Sequence, residues 1–141
     1  MKTPASPQPS PLRLNLLRAM YLLIVIGLGI VVWPNVIRPP AQWDLMQSVV
    51  QCMLAAFSLL CALGLRYPLQ MLPVLLWELG WKGIWLLVVA LPAWLAGTLD
   101  QSTAGVAMDC TLVILVILVM PWRYLAAHYI RKGGEQWRAA A

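Results

Sequence analysis

The sequence predicts an all-α fold, an integral-membrane bundle of four transmembrane helices, and three observations support this. Four apolar stretches of about 20 residues take up most of the 141-residue chain. A hydrocarbon core about 30 Å thick needs about 20 helical residues to cross it. Hydrophobic residues make up 62 % and charged residues 11 %, with a mean hydropathy of +0.78, so a water-soluble domain is excluded. The apolar runs are also continuous rather than alternating, as in Leu112 to Met120. A barrel strand would keep a polar lumen face, whereas a helix satisfies its whole backbone internally in lipid.

The spans are expected at 19–37, 45–65, 74–97 and 106–124, which makes 19–125 the bundle. Residues 1–18 form a proline-rich tail, with four prolines and two serines between Thr3 and Pro11, and are expected to be disordered. Residues 126–141 form a basic tail. The first apolar stretch follows positive charges, as a signal peptide would. It ends in Trp33-Pro34-Asn35 with no small-residue cleavage site, so it reads as a retained span.

The third segment is the longest. From Arg66 to Leu99 a continuous helix would measure about 50 Å, beyond the bilayer core. One resolution lays Pro68 to Gly80 along the interface and starts the true span near Trp81. Glu78 and Lys82 then sit at headgroup level, one helical turn apart, with the acid in the favourable N-terminal position for an ion pair. The structural reading is an interfacial anchor braced by Trp77, Trp81 and Trp85. The functional reading makes Glu78 a proton or cation site, although a lysine-paired acid titrates poorly near neutral pH.

Orientation follows from the basic residues. Eight of the ten Lys and Arg residues fall on the side that holds both termini and the second loop, against Arg38 on the other side and Lys82 within a span. The excess of Lys and Arg marks the cytoplasmic side, so both ends are expected there. Trp33, Trp43 and Trp94 lie at the outer span ends, and Trp77, Trp81 and Trp122 toward the inner ends, as an interfacial aromatic belt.

Asp109 is the intramembrane acid with no basic neighbour in sequence. Such an acid marks a functional site by default, or else sits shallow enough to reach the outer interface or caps a frayed first turn. Asp44, Gln47 and Gln51 recur at helical spacing on the outer half of the second span, and a polar chamber with Asp109 is one arrangement of the four. Small residues suit close helix packing, expected within the bundle, with a dimer seam as the alternative where a face stays uncovered: Ser48, Cys52 and Ala56; Ala55, Ser58 and Ala62; Gly27 and Gly29; Ala93 and Gly97. A faint repeat pairs Asp44, Cys52 and Arg66-Tyr67 with Asp100, Cys110 and Arg123-Tyr124. A Cys52–Cys110 disulfide requires those two spans to touch.

No cofactor or metal site is expected. The single histidine, His128, follows the fourth span, so a haem has no axial ligand inside the bundle. The three cysteines show no metal-ligand spacing. No phosphate loop, nucleophile elbow or paired-carboxylate pattern occurs, so no enzymatic activity is expected. The basic C-terminal tail suits lipid headgroups, not nucleic acid.

The stretch Arg66-Tyr67-Pro68-Leu69-Gln70-Met71-Leu72-Pro73, followed by Trp77-Glu78 and Trp81-Lys82, resembles a signature of small bacterial four-span inner-membrane proteins. That family has no assigned activity, and the resemblance implies a bacterial inner-membrane location. The layout is also similar to DoxX-like proteins at the level of fold alone, where function does not transfer. The expected function is that of an accessory or structural membrane component. It would work through helix contacts in the lipid bilayer, with itself or with a larger membrane-protein partner. The alternative is a small oligomeric transporter or channel using Asp109 and Gln51.

Overall fold

The computed structural model describes residues 8–131, which are almost wholly helical and contain no strand. Four helices are long and apolar enough to cross a membrane: Pro11–Val31, Leu45–Arg66, Leu72–Leu95 and Gln101–Val119. The chain is therefore a multi-pass membrane protein, described below by its first to fourth spans.

Each start has a local cause. The Ser10 hydroxyl accepts from the Arg13 N–H at 3.4 Å, and Pro11 opens the first turn, where its missing N–H costs nothing. This start corrects the expected tail at 1–18. Residues 11–18 are helical, because Ser10-Pro11 is a start signal and Leu17 is fully buried in the bundle. Residues 1–7 lie outside the described residues. Asp44 caps the second span, its carboxylate accepting from Met46 N–H at 3.1 Å and Gln47 N–H at 3.3 Å. Asp100 does the same for the fourth, accepting from Thr103 N–H at 3.3 Å and from the Ser102 hydroxyl. The fourth span thus begins at Gln101 rather than Val106.

Prolines place most of the bends. Pro34 bends the continuation of the first span, where a short helix runs Trp33–Ile37. In the third span a π-helical turn over Leu86–Ala90 precedes Pro92, and Leu91 N–H reaches back to Leu86 O. The widened turn accommodates the proline's missing donor. The Thr111 hydroxyl donates to Ala107 O at 2.7 Å beside a kink at Leu112. Pro121 ends the fourth span at Val119, because the residue before a proline is driven out of the helical region and Met120 is extended. The expected end at Tyr124 is corrected accordingly. Trp122–Leu125 and Ala126–Arg131 then form a separate helical segment, and residues 132–141 lie outside the described residues.

The spans form a ring in chain order. The first packs along the second, the second meets the third, and the fourth closes on the third and the first. Among the described residues the backbones of the diagonal pairs, first with third and second with fourth, stay apart.

The core lies at the end where the first span begins and the fourth ends. Leu17, Met20, Tyr21, Phe57, Cys61, Leu72, Leu75, Val113, Val116 and Met120 form one buried cluster there. Toward the opposite end the helices open. A Cβ added at Gly27, Gly29 or Gly105 would touch nothing, which corrects the expectation that Gly27 and Gly29 pack within the bundle. The close approach is at Gly64, against the ring of Tyr21. Only 17–28 % of each span is buried, so most of every helix faces lipid or another chain.

Candidate functional site

The polar centre of the bundle lies on the inward face of the third span, in line with the fully buried Leu72 and Leu75. Lys82 Nζ is 2.7 Å from Glu78 Oε1, and Trp81 Nε1 donates to Glu78 Oε2 at 2.9 Å. Helical spacing places all three residues on adjacent turns. Lys82 Nζ also stands 5.6 Å from the centroid of the Trp81 ring, within cation–π range. Trp81 lies 6.2 Å from Trp77, which is 5.2 Å from Phe57 of the second span. The ion pair thus lies against the Trp81 ring, and both carboxylate oxygens have partners.

The expected interfacial segment from Pro68 to Gly80, with the true span starting near Trp81, is not a separate element. The third span runs unbroken from Leu72, so Glu78 lies about 9 Å and Lys82 about 15 Å along the helix axis. Glu78 is only 6 % exposed. The pair is buried against the bundle, and Pro68 to Met71 form a short turn before the helix.

The second span contributes an inward stripe of Ala55, Ser58 and Cys61. Ser58 Oγ accepts from Trp33 Nε1 at 3.0 Å and donates to Ala55 O at 2.7 Å, so it ties the first span to the second. Trp33 therefore has a partner inside the bundle and is more than a member of an interfacial belt. Higher on the same span, Gln51 Oε1 is shut away from solvent without a hydrogen-bond partner among the described residues.

The candidate chamber of Asp44, Gln47, Gln51 and Asp109 is not assembled. Asp44 and Gln47 are exposed, and Asp44 is occupied as a cap. Asp109 is exposed on the fourth span, whose backbone stays apart from that of the second. It lies about 12 Å beyond the start of its helix, too deep to be a cap. It takes no part in the one ion pair found among the described residues. The same separation rules out a Cys52–Cys110 disulfide, and Cys52 is exposed while Cys110 is buried.

Among the described residues no cluster of metal-ligating side chains occurs. Sequence reasoning missed the Trp33–Ser58 bond and the Tyr21–Gly64 contact, because both join separate spans and neither has a local signature. No family model matches the chain, nor does a curated protein or a solved structure.

Proposed function

We propose that this chain is an accessory or structural component of a bacterial plasma membrane, with both termini in the cytoplasm. It acts through helix contacts on the flank of the fourth span that carries Asp109. The observation that carries this reading is the exposed carboxylate of Asp109, about 12 Å inside a membrane-spanning helix. A charge at that depth is costly in lipid and is normally turned toward protein or a water-filled cavity. Among the described residues nothing covers it, so the covering surface is assigned to another chain. Gly105, one turn before Asp109, leaves room for a close helix approach.

A second reading has the same starting point. If the covering chain is another copy, several Asp109 carboxylates converge on one seam and form a polar path for a cation or proton. Gln51 lies outside that seam.

The test is native mass spectrometry of the chain extracted in mild detergent from its own membrane, beside Asp109→Leu. A foreign membrane protein held by the native chain and lost from the variant supports the accessory role. A homo-oligomer that the variant abolishes favours the path, which flux measurements on Asp109→Asn then examine. A monomer in both cases, with no foreign chain, overturns the proposal.

A further inference from the structure

A groove of about 220 Å³ opens where the start of the first span meets the segment after Pro121. Its lining includes Gln8, Ser10, Arg13, Pro121, Arg123 and Tyr124. Two arginines from opposite ends of the sequence therefore line one recess, and no carboxylate lines it among the described residues. The fold makes this meeting happen. The Met120–Pro121 break redirects the chain, and buried Pro121 lines the groove together with Arg123. The first span overhangs the same end because it begins at Pro11.

We propose that this groove binds the phosphate of an anionic phospholipid headgroup. Arginine presents planar paired donors that match phosphate oxygens, and neither of the two here pairs with a carboxylate among the described residues. The N-terminus of the 21-residue first span adds its positive dipole end from the same wall. Gln8 and Tyr124 offer further hydrogen-bonding groups at the rim. The groove lies at the membrane-surface end of two spans, where headgroup phosphates stand, and basic pockets between transmembrane helices are suited to such lipids. Free inorganic phosphate shares this chemistry. A lipid is favoured because its acyl chains would also cover the apolar flanks of the spans beside the groove.

The experiment is a titration of the detergent-purified full chain with phosphatidylglycerol or phosphatidylcholine, followed by native mass spectrometry. Arg13→Gln/Arg123→Gln is compared with Arg18→Gln/Arg66→Gln, which removes two arginines that do not line the groove. The native chain is expected to prefer phosphatidylglycerol. The groove variant should lose affinity on the order of 20-fold, and the control variant should keep it. Equal binding by the groove variant and the native chain, or equal loss in both variants, overturns the site. Displacement of the lipid by inorganic phosphate in large excess overturns the lipid assignment in favour of the free anion. If the double variant melts at a lower temperature than the native chain, the single variants decide, each with an expected loss of about five-fold.

Discussion

The ring of Tyr21 lies directly against the backbone of Gly64. A Cβ at position 64 would come within 2.5–2.7 Å of three ring atoms. Tyr21 is fully buried, and its hydroxyl donates to Pro68 O at 3.1 Å, so the ring cannot swing aside. One tyrosine thereby joins the first span to the end of the second and to the turn that leads into the third.

Gly64→Ala should destabilise the bundle by about 1–3 kcal/mol, as overpacking of a fixed core does. Tyr21→Ala in the same chain should remove most of the added clash while losing the ring's own packing. Thermal unfolding in detergent of the two single variants and the double variant measures the coupling. Strict additivity would mean that the contact is loose.

Loss of one partner from the buried pair should cost more than loss of both. Glu78→Ala leaves the Lys82 ammonium without its counterion and the Trp81 indole without its acceptor, a cost of about 3–5 kcal/mol. Glu78→Leu with Lys82→Met should fall closer to the native stability. Exchange of the two residues should not restore it fully, because a lysine at 78 cannot accept from Trp81. Fluorescence-detected unfolding of the three variants ranks them, and an exchange variant as stable as the native chain would contradict the role given to Trp81.

Ser58→Ala removes the acceptor of the Trp33 N–H and should cost about 1 kcal/mol. Trp33→Phe should be as harmful, and the double variant little worse than either. A double-mutant cycle on unfolding free energy checks this.

Asp100 gives the chain a pH-dependent element. Hydrogen bonds from Ser102 and Thr103 hold its carboxyl below the usual carboxylate range, at about 2. A depressed folded value means that its contribution is present above the unfolded value of about 3.9 and fades as pH falls through the folded one. Asp100→Asn, which cannot titrate, should thus be less stable than the native chain at pH 6 by a margin that closes toward pH 2. Melting temperatures across that range read the margin directly, and a constant gap would show that the cap does not titrate as described.

The Asp44 and Asp100 correspondence seen along the chain has a simple physical basis, since both residues cap the helices that follow them. Capping is legible in a sequence because it depends on neighbouring residues alone, although Asp44 is read there as part of a polar chamber and the fourth span as starting at Val106. The span ends were less so. Pro11 was read as part of a disordered tail although it opens a helix, and Pro121 was read through although it closes one. The Glu78–Lys82 spacing was legible as a potential pair, but its depth depended on whether the third segment was one helix or two.

The number of membrane-crossing helices and their approximate places follow from the sequence alone, because length and hydropathy are local and lipid forces the backbone into helix. Which faces meet was decided only by the tertiary structure. Apolar residues surround every span, so no polar stripe marks the inward side, and neighbours are chosen by close shape complementarity instead. Gly64 against Tyr21, the interior position of Glu78 and the exposure of Asp109 are all consequences of that choice. So is the meeting of Arg13 with Arg123, brought together from opposite ends of the chain by the closing of the ring.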